Sequence, residues 1–591
     1  MEKIKFKKIK IIAYLNSLSE RQRLIVLAVV VGFSSGLAAV VLKLSIEGIK
    51  HLLTNWINTS TASLWYLLLP GIGMFLAMLF VKYIAKEDIS HGITKILYSI
   101  SRKESKLSSK AIWTPLVASA VTIGFGGSVG AEAPIVHSGA AIGSTIAQKL
   151  NLNYKHITLL LACGAAGSLA GIFKAPLAGI VFTIEILMFD LTLASIVPLL
   201  VSTVTAILIP YFLLGQTVAF ANAATPFNLD NIPYYIILGL ICGIMSFYFI
   251  RATLSIEGKV KKIKNPYMRL IVCALGIGVL VFLFPPLYGE GYSSLSMLLN
   301  NEVDSVFDGS IYGSISHNNV FVLLFFMAAM FLKVVSMSFT NAGGGVGGTF
   351  GPTLFVGGIC GFLVARAINL TNFILLPEAN FALVGMGGLM AGVMHAPLTA
   401  IFLIAEITGG YDLLMPLMIT SAISYMLITR LEPNSIYTKR LAMQGDLITH
   451  DKDQAVLTLL KLDELIETDF IKVYEEQTLG DLVKDISNTH RNFFPVVTRD
   501  NKFVGVVLLD DVRNIMFDRS KYDTKHVSNF MTYTSNVVNK NDTMDMVMKK
   551  FKLSNNTWNL PVVDDENNYL GFISKSKMFG AYREQLINFS Q

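Results

Sequence analysis

The sequence predicts an all-α membrane protein of two homologous halves built from broken helices, inverted if each half makes an odd number of crossings, followed by a cytosolic α/β domain. Three observations predict it: long uncharged runs, an internal repeat and an abrupt change in charge density. Of the 89 Asp, Glu, Lys and Arg residues, 39 lie in residues 451–591 and 50 in residues 1–450. With 53% hydrophobic residues and a mean hydropathy of +0.56, the chain is neither an ordinary soluble enzyme nor disordered. The net charge of +7 divides into 30 basic against 20 acidic residues in the body and 18 against 21 in the tail, so no nucleic-acid partner is indicated.

The uncharged runs are Leu24–Leu42, Leu64–Val81, Leu191–Leu229, Ile232–Ile250, Leu270–Gly289, Ile311–Leu332, Val334–Ala365 and Ala379–Ala405. A spanning helix needs ~20 apolar residues, so several of these cross a bilayer. Met1–Lys10 carries five lysines but leads into no short apolar core with a small-residue cleavage site; the expectation is an unprocessed, cytoplasmic N-terminus. A cytosolic tail then requires an even number of net crossings. Cys163, Cys242, Cys273 and Cys360 sit far apart in apolar stretches without metal-ligand spacing and read as small hydrophobes, so no metal site is expected.

Gly and Pro interrupt the apolar sequence at Gly124–Gly130, Gly343–Gly348, Pro176 and Pro397. Such breaks are tolerated at membrane depth only where protein or a water-filled cavity satisfies the freed backbone groups. A shift of 221 positions matches Gly164–Ile186 to Gly385–Ile407 with 10 identities in 23 positions. Upstream of each copy stands a Gly-x-x-x-Pro element, Gly130-Ala-Glu-Ala-Pro134 and Gly348-Thr-Phe-Gly-Pro352. The halves are therefore about 20–215 and 232–430, within a body of 1–450. Repeated membrane proteins with broken helices place their binding site near the midplane, which makes solute transport the default reading.

A glycine-rich turn followed by proline marks a helix N-terminus, because proline is pre-shaped for the first turn and has no amide hydrogen to leave unpaired. Each such end offers free N–H groups and about half a positive charge, which suits an anion. A full Lys or Arg charge would hold a halide too firmly for rapid exit. Glu132 lies inside one of these helix starts, and an ionisable group at membrane depth is a functional candidate. Its carboxylate is itself an anion, able to occupy an amide-lined site and to leave when protonated. Glu185 and Glu406 hold equivalent places in the repeats, which favours a shared structural role.

These residues resemble the CLC family of chloride channels and chloride/proton antiporters, over nearly the whole chain. The family's Gly-Lys/Arg-Glu-Gly-Pro motif looks like Gly130-Ala131-Glu132-Ala133-Pro134, and its Gly-x-Phe-x-Pro motif looks like Gly348-Thr349-Phe350-Gly351-Pro352. Its pore tyrosine is similar to Tyr437, and its Gly-Ser/His-Gly-Ile/Val-Pro motif to Ser90-His91-Gly92-Ile93-Thr94. The resemblance implies an anion held by the Thr349 and Phe350 amides, the Tyr437 hydroxyl and the His91–Gly92 segment, with Ala131, Ala133 and Gly348 also among the anion-binding residues and Glu132 as gate. It also implies a homodimer with one pore per subunit, in a bacterial-type plasma membrane, with chloride and protons as the transported ions and no required cofactor.

Three departures stand out: Ala131 replaces a basic residue, Ala133 a glycine and Thr94 a proline. A fourth bears on mechanism, because antiporters of the family usually carry a cytoplasm-side proton glutamate where this chain has Ile186. Chloride/proton exchange is expected, with a passive chloride channel as the alternative and a divalent-cation channel regulated by the tail as the alternative from another class. The anion motifs do not look like the fluoride branch.

The tail holds a second duplication. Phe494-Pro-Val-Val-Thr498 with Gly505-Val-Val507 recurs as Leu560-Pro-Val-Val-Asp564 with Gly571-Phe-Ile573, each Pro preceding its Gly by 10 residues. Short apolar strands alternate with amphipathic helices. This resembles a pair of CBS domains, 464–525 and 526–591, a module that binds adenine nucleotides as a class. The ribose-contacting Ser/Thr-x-x-Asp pattern is split: the first copy keeps Asp511 but has Leu508, and the second keeps Ser574 but has Lys577. Nucleotide binding and a purely structural role both remain open, and no phosphate-cradling P-loop is present.

Overall fold

The computed structural model describes residues 17–56, 65–189, 193–307 except 217, 219 and 221–223, then 312, 318–443, 460, 462–534, 536–554 and 558–590. Met1–Lys10 and parts of the run Leu191–Leu229 lie outside the described residues. The chain divides into two compact units, Met1–Ile448 and Thr449–Gln591.

In the first half of the body, α1 (Glu20–Trp56), α2 (Trp65–Leu79), α3 (Gly92–Arg102) and α4 (Thr114–Gly124) precede α5 (Glu132–Lys149), α6 (Tyr154–Phe173), α7 (Pro176–Glu185) and α8 (Leu193–Leu214). The second half holds α9 (Ile232–Lys261), α10 (Pro266–Leu283), α11 (Tyr292–Leu299), α12 (Asn319–Gly343) and α13 (Phe350–Asn369). It continues with α14 (Glu378–Met394), α15 (Pro397–Thr408), α16 (Leu414–Leu431) and α17 (Ile436–Met443). Among the described residues nine helices are long and apolar enough to cross a membrane, whereas α7, α14 and α15 are shorter. Side chains such as Leu208, Leu240, Ile244, Leu275, Leu324 and Met426 point outward, as a lipid-facing surface requires.

Local chemistry sets the helix ends. Asn265 accepts the Tyr267 and Met268 amides ahead of Pro266, and Asn318 accepts those of Val320 and Phe321. The runs Val334–Ala365 and Ala379–Ala405 are each two helices, broken at Gly344 and at His395. The breaks that end α6 and α14 are equivalent: Lys174 (φ 58°) and His395 (φ 56°) are left-handed, and each is followed by alanine and then by the proline that starts the next helix.

The halves then interlock. Glu406 on α15 accepts the Leu177 and Ala178 amides of α7 at 3.0 and 2.9 Å. Glu185 on α7 accepts the Leu398 and Thr399 amides of α15 at 2.9 and 2.7 Å. Each carboxylate satisfies the amides that a helix start leaves free at membrane depth. Equivalent helix pairs also pack backbone to backbone: a Cβ on Gly143 of α5 would lie 1.8 Å from the Leu160 carbonyl of α6, and one on Gly361 of α13 would lie 1.9 Å from the Phe381 carbonyl of α14. Small residues four apart, Gly139/Gly143 and Gly357/Gly361, permit this approach.

The tail contains two antiparallel pairs, β1 (Phe493–Val497) with β2 (Phe503–Leu508), and β4 (Asn559–Val563) with β5 (Tyr569–Ser574); a short β3 (Val538–Asn539) joins β4 in parallel. Both hairpins bulge at the same point, Val496/Val497 and Val562/Val563. Their turn residues are swapped reciprocally. The Asn501 side chain donates to the Tyr569 carbonyl at 3.0 Å, and the Asn567 side chain to the Phe503 carbonyl at 3.1 Å. Phe470, Val497, Phe503, Val563, Tyr569 and Phe572 form the apolar core between the copies.

Candidate functional site

The two Gly-x-x-x-Pro elements meet at the centre of the body. Gly130 and Gly348 form an antiparallel bridge, with the Gly130 amide donating to the Gly348 carbonyl at 3.0 Å and the Gly348 amide to the Gly130 carbonyl at 2.7 Å. The helices that follow, α5 and α13, therefore start side by side from equivalent segments running in opposite directions. Each approach loop is pinned by a threonine of the other half: the Ser128 amide donates to Thr340 Oγ1 at 3.2 Å and the Val346 amide to Thr122 Oγ1 at 3.1 Å. Pro134 and Pro352 each sit in the first turn of their helix, as the spacing predicts.

Glu132 is the first residue of α5, 1% exposed, and its side chain reaches across to α13. Its Oε2 accepts the Gly351 amide at 3.2 Å, in the first turn of α13. The carboxylate thus sits on the free amides and partial positive charge of the other half's helix. Bare glycine makes room for it, since a Cβ on Gly130 would stand 2.1 Å from Glu132 Oε2. Beside this point the Tyr437 hydroxyl lies 3.3 Å from Thr349 Oγ1, both residues being buried, and Phe350 packs its ring 5.6 Å from that of Phe173.

Gly92 brings a third helix start to the same place. A Cβ there would lie 3.0 Å from the Ala133 carbonyl, so α3 begins directly against the first turn of α5. Its neighbour His91, left-handed at φ 54°, has Nε2 3.6 Å from Glu257 Oε2. Glu257 is also held by Arg440 at 2.8 Å. His91 and Glu257 line a cavity of about 330 Å³ whose walls include Lys82, Lys261, Arg269 and Asp88. Ile186 is buried at the end of α7 and belongs to the apolar core.

Three residues around the candidate site carry no motif that marks them in the sequence. Glu290 Oε1 accepts the Ala131 amide at 3.0 Å, so the start of α5 also carries a carboxylate from elsewhere. Tyr292, the first residue of α11, donates its hydroxyl to Glu132 Oε1 at 2.5 Å. Lys333, fully buried, donates to the Gly289 carbonyl at 2.7 Å and stands over the Phe355 ring. Two signals were available: Lys333 is the only charged residue between Asp308 and Arg366, and Glu290 the only acid between Glu257 and Glu302.

In the tail, the residues of the split ribose pattern have protein partners. Asp511 accepts the Leu508 amide at 3.3 Å, and the Ser574 hydroxyl donates to Glu467 at 2.6 Å while accepting the Lys577 amide at 3.2 Å. Leu508 and Ser574 occupy matching strand ends, paired with Phe493 and Asn559.

Comparison with known proteins agrees with this architecture. The chain is 28% identical over 437 residues to the H(+)/Cl(-) exchange transporter ClcA of Vibrio cholerae serotype O1, covering 70% of this chain and 88% of that protein. It is 30% identical over 335 residues to the voltage-gated ClC-type chloride channel ClcB of Citrobacter koseri, covering 55% and 75%. Among solved structures, a slow cyanobacterial Cl-/H+ antiporter matches with a TM-score of 0.61 at 25% identity, over 72% of this chain and 98% of that one. A eukaryotic CLC transporter shares the fold over 94% of this chain and 98% of its own, with a TM-score of 0.59 at 17% identity. Residues 462–518 and 527–584 match the CBS domain. Residues 73–429 match the voltage gated chloride channel family, and the chain belongs to that family, the CLC chloride channels and transporters.

Proposed function

We propose that this protein exchanges chloride for protons, with Glu132 as the gate of an anion path between the starts of α3, α5 and α13. The observation that supports this most directly is the Glu132 carboxylate resting on the Gly351 amide: the side chain occupies the place an anion would take. Protonation removes its charge and with it the attraction of the α13 start, so the side chain leaves and chloride enters. The Thr349 and Phe350 amides, the Tyr437 hydroxyl and the His91–Gly92 turn then hold a halide that no full positive charge touches, which keeps exit fast. Ala131, Ala133 and Gly348 form the walls of this passage.

A second reading, a passive chloride channel, is favoured by Ile186, since an isoleucine buried in the core carries no proton. One experiment separates the two. The protein is reconstituted in liposomes, a chloride gradient is imposed and external pH is followed. Exchange predicts proton movement with chloride; chloride flux without it leaves the channel reading. Glu132→Gln is expected to abolish coupling while chloride still moves, and unchanged coupled transport would remove Glu132 from the gate.

The lysines that close α9, Lys259, Lys261, Lys262 and Lys264, and the five lysines of Met1–Lys10 support cytoplasmic termini in a bacterial-type plasma membrane. Exposed apolar residues on the short helices α7 and α15, Leu177 and Leu398, support a homodimer that covers them within the bilayer. We assign the CBS units to 464–525 and 526–591. The engagement of Ser574 by Glu467 supports a structural role for the pair, with adenine nucleotide at Asp511 and Ser574 as the alternative that a nucleotide titration decides.

A further inference from the structure

The loop between α10 and α11 does more than connect two helices. It is built rigidly: the Tyr288 hydroxyl donates to the Gly124 carbonyl at 3.4 Å, the Gly289 amide to the Gly126 carbonyl at 3.1 Å, and buried Lys333 donates to the Gly289 carbonyl at 2.7 Å. Gly289 (φ 63°) and Gly291 (φ 94°) give it the two left-handed turns that present Glu290 and Tyr292 to the same spot. There Glu290 takes the Ala131 amide of α5, and Tyr292 takes Glu132. Glu132 is therefore held from two sides, by the Gly351 amide on one oxygen and by the Tyr292 hydroxyl on the other.

We propose that Tyr292 is a positioning residue of the gate, a latch whose hydroxyl keeps the charged Glu132 carboxylate seated on the α13 start. This inference rests on Glu132 being the gate. A hydroxyl donating to a carboxylate stabilises its ionised form, and hydrogen bonds to charged groups are among the stronger ones. Losing it lets the side chain leave its seat more often and at lower proton concentration. The charged and titratable groups around the pair are Glu290 on the same loop and Tyr437 on α17, with Lys333 on α12 and Lys50 and Lys43 on α1 facing Glu290. None of them donates to Glu132 in place of Tyr292.

The test is chloride efflux from liposomes, measured across a pH series for wild type, Tyr292→Phe, Glu132→Ala and the double variant. Phenylalanine keeps the ring that packs 6.2 Å from Phe220 and removes only the hydroxyl; Tyr292→Met serves as a second hydroxyl-free variant should Phe fail to reconstitute. Tyr292→Phe is expected to raise efflux at neutral pH roughly tenfold and to move the midpoint of its pH profile about one unit to the alkaline side. The double variant is expected to match Glu132→Ala alone, because a latch has no effect once the gate is gone. A wild-type rate and pH profile for Tyr292→Phe overturns the latch, as does an equal change from Tyr292→Phe with and without Glu132. Glu132→Ala behaving as wild type would overturn the gate reading itself, and the latch with it.

Discussion

At the scale of single residues, two carboxylates accept the amides of opposed helix starts. Glu132 sits at the start of α13 and Glu290 at the start of α5, so both opposed helix ends are occupied by the protein's own acids. Glu290 takes the amide of Ala131, the position at which the family pattern has a basic residue. Glu290→Gln keeps an oxygen for the Ala131 amide and removes the charge. The half-saturating chloride concentration of transport is expected to fall roughly threefold to tenfold, the effect of ~1 kcal/mol of relieved repulsion. An unchanged value would show that this carboxylate is only a helix cap. Glu132 was legible in the sequence because it lies within a motif whose glycines and proline already spell a helix start. Glu290 and Tyr292 were not, since their importance comes from a long-range approach of a loop some 160 residues away in sequence. His91 shows the converse: its motif identifies the turn, but only the packed structure reveals that the imidazole faces Glu257.

At the scale of elements, the repeat is expressed as an exchange of caps. Glu185 and Glu406 each hold two amides of the equivalent helix in the other half, a structural role that their matching positions in the repeat implied. Truncating either carboxylate leaves amides unpaired where water is scarce, at a cost of about 1–3 kcal/mol per buried group. Glu185→Ala and Glu406→Ala are therefore expected to lower the melting temperature of the detergent-solubilised protein by similar amounts, read by thermal unfolding. A large loss for one and none for the other would break the argued equivalence. The repeat and the proline breaks gave away α7 and α15, and the uncharged runs gave away the long helices. Uncharged runs alone could not divide Val334–Ala365 or Ala379–Ala405, because a broken membrane helix is as apolar as an intact one. Only the glycines at Gly343–Gly348 and the proline at Pro397 mark those divisions in the sequence.

At the scale of the whole molecule, a two-fold arrangement of halves places equivalent helix starts head to head, and the same logic recurs in the tail, where two hairpins with identical bulges trade turn asparagines. Pseudo-symmetry brings like ends together, and like ends of helices attract the opposite charge, so the arrangement suits an anion before any charged side chain is added. Under the proposed gating, Glu132 and chloride compete for one seat. Calorimetric titration of chloride into purified wild type and Glu132→Ala tests it most directly. Removing the carboxylate is predicted to tighten chloride binding by roughly tenfold or to add a further ion per subunit. Identical isotherms for the two proteins would show that Glu132 does not occupy the chloride seat.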